Sequence, residues 1–284
     1  MTKNLRLGLH AELDKQQQYH AAAIYADERN WGWIIQTDFH SEGYYPTSSE
    51  EIHKILLIDA FMRDQLFPVG QLVLLGKEDE QWKVLGSIHT LLSNKKIITD
   101  SFPVPDSWNV FTEFRHPSPA KYDAQGDRWA CYAIQTDQSL DKTKWNIKPA
   151  DLIIQGVKVL AFGQEKDYDS LSSQVEISSE LHEMIGKYPT VQHINPLTRI
   201  SGLAKVRQKY PELTAKDYAQ MLVHQVSKEF TPSSDMDHAI RNISKQCSLR
   251  YHLSRGAHLE QVIPQFRIHD ISSLGYGASV LYSP

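Results

Sequence analysis

The stretch "IQTDQSLDKTKWNIKPADLIIQGVKVL", residues 134–160, changes from strand to helix across a short turn rich in lysine. Residues 128–137, which begin before this stretch and overlap its start, carry the aromatic and apolar side chains that favour a pleated strand. After the turn, Ile153, Val157 and Leu160 fall on one face of a helix. A strand that leads directly into a helix points the first free N–H groups of that helix beyond the strand end, where an anion is favoured.

The turn itself carries positive charge that suits a pyrophosphate. Lys142, Lys144 and Lys148 supply the charge, and Asn146 can cap the helix or donate to a phosphate oxygen. The alternative is a solvated turn, because Pro149 at the first helical position is ordinary helix-start chemistry. The residues of the turn alone leave both interpretations open.

The net charge, the cysteines and the lengths of the apolar runs indicate the compartment and the partners of the protein. A formal net charge of -4 argues against broad nucleic-acid binding. Cys131 and Cys247 both lie in apolar segments, which fits buried thiols in a reducing compartment better than a disulfide framework. The first 30 residues lack the apolar core of a secretory signal, and no run approaches the roughly 20 apolar residues that span a bilayer. We therefore expect a cytoplasmic protein with no nucleic-acid or membrane partner.

Periodicity places further elements on both sides of the opening stretch. The predicted elements are a helix over 48–67, a hairpin over 70–92, a polar and irregular insertion with one short helix over 165–188, a strand over 190–200 and an additional helical segment over 203–254. Within the last, Thr214 and Asp217 have capping-box spacing. These elements predict one mixed α/β or α+β domain over residues 1–284.

The order of these elements resembles the GNAT (Gcn5-related N-acetyltransferase) superfamily. The tail "LRYHLSRGAHLEQVIPQFRIHDISSLGYGASVLY", residues 249–282, resembles a subgroup of it, the GNAT-like loading and decarboxylase domains of polyketide synthases of the curacin type. The resemblance covers nearly the whole chain except the insertion. It implies a mostly antiparallel central sheet with flanking helices, in which the fourth and fifth strands splay apart.

One departure from the family concerns the phosphate loop. The family's loop usually reads Q/R-x-x-G-x-G/A, whereas "KWNIKPA" keeps neither glycine and has only Ala150 as a small residue. A Cβ at the loop positions pushes phosphate away from the backbone amides. Three interpretations follow, in order of preference: acyl-CoA held by a modified cradle with help from lysine, a phosphopantetheine arm held without tight nucleotide recognition, or a degenerate site.

The resemblance also implies candidate site residues. The family's acyl thioester lies between the fourth and fifth strands, where Thr136 and His193 would stabilise an enolate or oxyanion, or His193 would act as a base. Arg199 would neutralise a substrate carboxylate or phosphate, and Trp31 and Trp33 would line the acyl tunnel. From the residues alone, a strand-end threonine, a core histidine, surface ion pairing and aromatic packing explain the same positions.

The resemblance implies an acyltransferase that uses acyl-CoA or an acyl-phosphopantetheine as substrate. The expected acceptor is the thiol of an acyl carrier protein, with or without decarboxylation of a malonyl-type donor. The alternatives are acetylation of a small-molecule amine and a catalytically degenerate binding module. No metal is expected, since the 13 histidines form no H-x-x-x-H or H-E-x-x-H pattern.

Overall fold

The structure is a computed structural model that describes residues 4–25, 49–102, 105, 107, 120–137, 139, 145, 147–227 and 229–284. The chain divides into two compact units. The first comprises Met1–Lys95, Thr112–Ile194 and Pro284, and the second comprises Lys96–Phe111 and Asn195–Ser283.

The described ranges contain eight strands and ten α-helices. The strands are β1 (Leu5–Leu9), β2 (Gln71–Glu78), β3 (Gln81–Ser93), β4 (Arg128–Thr136), β5 (Glu176–Ile177), β6 (His193–Arg199), β7 (His258–Ile263) and β8 (Gly277–Leu281). The helices are α1 (Lys15–Tyr25), α2 (Ser49–Leu66), α3 (Lys95–Asp100), α4 (Pro149–Phe162), α5 (Glu165–Ser172), α6 (Ser179–Met184), α7 (Leu203–Lys209), α8 (Ala215–Gln225), α9 (Asp235–Ile243) and α10 (Ser248–Leu253).

The first unit is built on a sheet in the order β5-β1-β2-β3-β4. Three of its pairings are antiparallel, and only the short contact between β1 and β5 is parallel. The expected hairpin is β2 with β3, and its reversal passes through Asp79 and Glu80, both at positive φ. The mixed α/β fold class with a mostly antiparallel sheet is therefore confirmed.

Helix α4 covers one face of this sheet. Pro149 begins it and Gly163 ends it in the left-handed conformation at φ 61°. Its apolar stripe is buried as the periodicity predicts. Gly156 allows the helix to approach β1 closely, because a Cβ there would lie 2.4 Å from Leu7 Cδ2. The packing of α4 against β1 thus depends on a missing side chain.

An aromatic cluster fills the core near the start of β4. Phe67 lies at the centre, with ring centroids 5.1 Å from Trp129, 5.7 Å from Tyr122 and 5.8 Å from Tyr188. Trp129 is fully buried, and its Nε1 donates to Thr90 Oγ1 at 2.6 Å. The polar end of the indole is therefore satisfied inside the core.

The insertion over 165–188 is more regular than the sequence predicts. Instead of one short helix, it contains α5, α6 and the strand β5, which pairs with the outer edge of β1. Ser178 caps α6, and its hydroxyl also donates to Glu12 at 2.8 Å. The sequence interpretation was wrong because the order of this segment comes from contacts with distant residues rather than from a periodic pattern.

The second unit contains a smaller antiparallel sheet in the order β6-β8-β7. Four of its helices, α7 to α10, lie within the helical segment expected over 203–254. The predicted capping box of α8 is present, with the Thr214 hydroxyl accepting from the Asp217 N–H and the Asp217 carboxylate accepting from the Thr214 N–H. Buried Asn195 donates to Ser279 Oγ at 2.8 Å and ties β6 to β8.

Replacing Gly156 with alanine tests the close approach of α4. Leu7 is fully buried and cannot swing aside, so the added methyl group overpacks the contact. Overpacking costs about 1 to 3 kcal/mol, against the roughly 1 kcal/mol that alanine gains over glycine in a helix. We expect the free energy of unfolding in urea to fall. In a Leu7→Ala background the same change should be neutral or stabilising, and an equal loss in both backgrounds would contradict the contact.

Candidate functional site

Strand β4 has an irregularity in its middle. His89 of β3 pairs with Ala133 and Thr90 pairs with Cys131, so that Tyr132 has no partner in the register. This is a β-bulge, which bends the strand and increases its twist. β4 ends where the Asp137 N–H donates to the Leu85 carbonyl at 3.0 Å. Beyond that point the chain leaves the sheet and leads to α4.

The predicted pair Thr136 and His193 lies at opposite ends of β4. The His193 N–H donates to the carbonyl of Asp127, just before the strand, whereas Thr136 is its last residue. Nine extended residues span roughly 30 Å. The Thr136 methyl group also faces α4, since the Cβ missing from Gly86 would lie 3.2 Å from both it and the Ile153 side chain. The two residues therefore do not meet at one carbonyl.

The predicted phosphate-binding residues are only partly described. Lys144 and Asn146 lie outside the described residues, as do Trp31 and Trp33. Lys148 is exposed and directly precedes α4, without a side-chain capping bond. An acidic residue, Asp151, also occupies the first turn of α4. Its charge opposes an anion at this helix start.

A cleft of about 720 Å³ lies between α1, the end of β4 and the turn of the β2–β3 hairpin. This volume is in the range of small-molecule sites. Three carboxylates line it, but each has a partner: Asp14 accepts from the Gln17 N–H, Glu78 pairs with Lys83, and Asp137 accepts from Ser139. The excess of carboxylates makes this cleft a poor place for a pyrophosphate.

A second, polar cavity lies between α1, α2 and β3, on the opposite side of the sheet from α4. It has room for about 10 Å³, the space of one water molecule. Its polar walls are His10, Arg63, Ser87 and His89, and its apolar walls are Ala21, Ala22, Leu56 and Ala60. The four polar residues are each at most 4% exposed, which is unusual for a cavity lined by titratable groups.

Two histidines of the polar cavity are held in fixed orientations. His10 Nδ1 lies 2.7 Å from Asp64 Oδ2, and His89 Nδ1 lies 3.1 Å from Gln71 Oε1. The Gln71 amide nitrogen donates to the carbonyls of Phe67 and Thr90, so its oxygen must face His89. His89 Nδ1 therefore carries the hydrogen. Burial, with the positive charge of Arg63 and the neighbouring His10, lowers the pKa of His89 well below its ordinary value.

A third buried histidine lies in the tail that carries the family resemblance. His252 Nδ1 is 3.0 Å from Tyr282 Oη. Burial, helped by the charge of Arg255, lowers the pKa of His252 to about 3, so this imidazole is neutral. His252 lies in the stretch "YHLSRGA", and the sequence alone gave it no role.

Arg199 is engaged by a carboxylate of the protein itself. Its Nε and Nη2 donate to the two oxygens of Asp270, each at 2.6 Å. Burial raises the pKa of Asp270, but the Arg199 hydrogen bond and charge outweigh it and hold that pKa below its ordinary value. Arg199 therefore forms a bidentate ion pair at the end of β6, and its role toward a substrate stays a prediction.

Cys131 is a structural thiol. It is buried in β4, and burial raises its pKa far above that of a free cysteine. Acylation of this residue would need the thiolate, which is suppressed here. Within the described ranges no three histidine, cysteine, aspartate or glutamate side chains are placed to hold a metal ion. In the same ranges, no helix combines the length and apolar character that crossing a bilayer requires.

Comparison with known proteins gives the fold. No protein-family model matches the chain, and no curated protein matches it. Among solved structures, the GphF GNAT-like decarboxylase in complex with isobutyryl-CoA is 15% identical, covers 98% of both chains and has a TM-score of 0.50. The chain has the GNAT fold.

Two further solved structures are similar at lower scores. The loading GNATL domain of CurA from Lyngbya majuscula is 15% identical over 90% of this chain and 92% of that one, with a TM-score of 0.44. Malonyl-CoA decarboxylase from Rhodopseudomonas palustris is 16% identical over 99% of this chain and 56% of that one, with a TM-score of 0.42.

The two neutral buried histidines predict a loss of stability in acid. Both have a folded-state pKa below 6.5, so below that pH the unfolded chain binds protons that the folded chain excludes. Above about pH 6.5 the free energy of unfolding is unaffected by these two histidines. Below that pH each histidine lowers it by about 1.4 kcal/mol per pH unit, until the pKa of that histidine in the folded protein is reached. Urea unfolding at about pH 7.5 and pH 5 measures this loss. The loss of unfolding free energy between these two pH values should be smaller in His252→Gln. An unchanged pH dependence would contradict the conclusion that His252 is buried and neutral.

Proposed function

We propose that the protein is a GNAT-fold acyltransferase that takes a short acyl group from an acyl-CoA or acyl-phosphopantetheine donor. The acceptor is the phosphopantetheine thiol of a carrier protein, and a malonyl-type donor is decarboxylated before transfer. One observation carries the proposal: the solved structure that covers 98% of both chains holds isobutyryl-CoA. The family resemblance of the tail supports the same substrate class.

The donor is proposed to lie along β4 with its phosphates toward the start of α4. Lys148, together with Lys144 and Asn146, would hold the phosphates, and Thr136 at the end of β4 would contact the pantetheine arm. The glycine-poor loop and Asp151 weaken phosphate binding, so the arm and the acyl group contribute most of the affinity. The acidic cleft beside the hairpin is not part of this donor site.

Since Thr136 and His193 are about one strand length apart, the proposal gives them separate roles. Thr136 lies at the end of β4, where the donor's pantetheine arm is proposed to bind. His193 lies beside the start of β4. Trp31 and Trp33 remain proposed walls of the acyl tunnel. Arg199 remains a proposed substrate contact, held in place by Asp270.

Intact-mass analysis of an acyl-transfer reaction tests the proposed function. The purified protein is incubated with acetyl-CoA, isobutyryl-CoA or malonyl-CoA and a phosphopantetheinylated carrier protein. We expect an acyl mass on the carrier and, with malonyl-CoA, release of carbon dioxide. Transfer to a small amine and none to the thiol would favour the N-acetyltransferase alternative. No transfer with any donor and acceptor, together with binding of pantetheine, would favour a binding module.

Replacing Lys148 with alanine tests the proposed phosphate end. Lys148 is exposed, and exposed charge pairs contribute less than about 1 kcal/mol, so we expect a two- to fivefold rise in the half-saturation for acyl-CoA. Turnover should be unchanged, and acyl-pantetheine, which lacks the nucleotide phosphates, should be used equally by both proteins. Lys166→Ala, an exposed lysine in α5, is the matched control. An equal effect on acyl-pantetheine would exclude phosphate binding by Lys148.

A further inference from the structure

We propose that the polar cavity between α1, α2 and β3 is where the acceptor thiol loses its proton, with His10 as the base. The inference rests on the proposed acyl transfer and adds the residue that performs proton transfer in it. Neither Thr136 nor His193 lines this cavity.

The first support is the geometry of the His10–Asp64 dyad. Asp64 Oδ2 accepts from His10 Nδ1 at 2.7 Å, which fixes the ring and leaves Nε2 as the atom able to exchange a proton. Among the described residues, His10 Nε2 has no hydrogen-bond partner. A carboxylate that orients an imidazole toward a cavity is the arrangement by which hydrolases and transferases activate a hydroxyl or thiol.

The second support is the position of the cavity beside β4. His89, which lines it, pairs across the sheet with Ala133, next to the bulged residue Tyr132. The rings of His89 and Tyr132 have centroids 6.4 Å apart. β3 lines the cavity and β4 is its neighbour, so a donor that lies along β4 would bring its carbonyl carbon one strand away from the cavity.

The third support is electrostatic and selects the class of acceptor. Arg63 is a buried cation in the cavity wall, where it stabilises a thiolate and repels an ammonium group. His89 is neutral and adds no second cation. The cavity has the space of one water molecule, so only the S–H end of an acceptor arm can enter it. An uncharged S–H group suits this space beside Arg63 better than a charged amine.

His10 Nε2 takes the proton from the acceptor S–H, and the thiolate attacks the carbonyl carbon of the donor thioester. A new C–S bond forms, the C–S bond of the donor breaks, and the pair of electrons leaves on the donor sulfur. The imidazolium of His10 then returns the proton to that sulfur, so that His10 is neutral again and the products are an acyl-acceptor thioester and a free thiol.

The test is the dependence of the rate on the acidity of the acceptor thiol. In His10→Asn the amide still donates to Asp64 but cannot accept a proton as a base. General-base catalysis raises a rate by about 10²- to 10⁴-fold. With a pantetheine thiol as acceptor, we therefore expect the transfer rate of His10→Asn to fall at least a hundredfold. With a thiol acidic enough to be ionised already, the loss should be tenfold or less, because no base is needed. The transfer rate of Asp64→Asn should lie between that of the wild type and that of His10→Asn.

The controls separate this inference from the proposed function. His53→Asn changes a histidine of α2 that bonds Tyr19 outside the cavity, and it should transfer at the wild-type rate. Melting temperatures with and without acyl-CoA show whether each variant folds and binds donor. If the wild type transfers to no acceptor, the proposed function fails. If it transfers, and folded His10→Asn loses the same factor with every thiol or loses nothing, the role of His10 is overturned.

Discussion

The close packing of α4 on the sheet is the contact on which the first unit depends. Ile153 and Val157 are fully buried, and Gly156 lets the helix backbone approach Leu7 of β1 and Leu72 of β2. This contact fixes where α4 starts, and therefore where the chain that leaves β4 must end. The segment that joins them is therefore fixed at both ends by packing. It has none of the glycines found in the phosphate loop of the family that the sequence resembles.

Local sequence was enough to predict the elements that carry their own signal. The period of Ile153, Val157 and Leu160 predicted α4, and the spacing of Thr214 and Asp217 predicted the start of α8. The strand β1 was missed because it has only five residues and its pairing partner is about 70 positions away. The ordered insertion was missed for the same reason. Order that comes from distant contacts leaves no period in the sequence.

The site was harder to predict than the fold. The dyad of His10 and Asp64 joins residues 54 positions apart, and the ion pair of Arg199 and Asp270 joins residues 71 apart. Neither spacing has a motif, because the sheet register and the helix packing bring the partners together. Family resemblance suggested Thr136 and His193 from their strands, but it could not give the pairing that places His193 beside the start of β4 and Thr136 at its end. The same resemblance did mark the tail in which His252 is buried.

The polar cavity has a cost that its residues must offset. Buried imidazoles and a buried guanidinium lose their hydration, and each hydrogen bond recovers only part of that loss. The Gln71 amide uses both of its hydrogens on backbone carbonyls and its oxygen on His89, so the orientation of one ring is determined by three contacts. Such a cluster lowers stability relative to an apolar core of the same volume, which is common where a protein keeps chemistry in its interior.

The two-residue strand β5 has a consequence for the behaviour of the protein in solution. β1 is the last long strand on its side of the sheet, and the backbone groups of Arg6 and Leu7 would face outward if β5 did not pair with them. An uncovered edge is a template for strands of other molecules. The segment over 165–188 thus covers an edge of the sheet, and removal of β5 would leave that edge open to pairing with strands of other molecules.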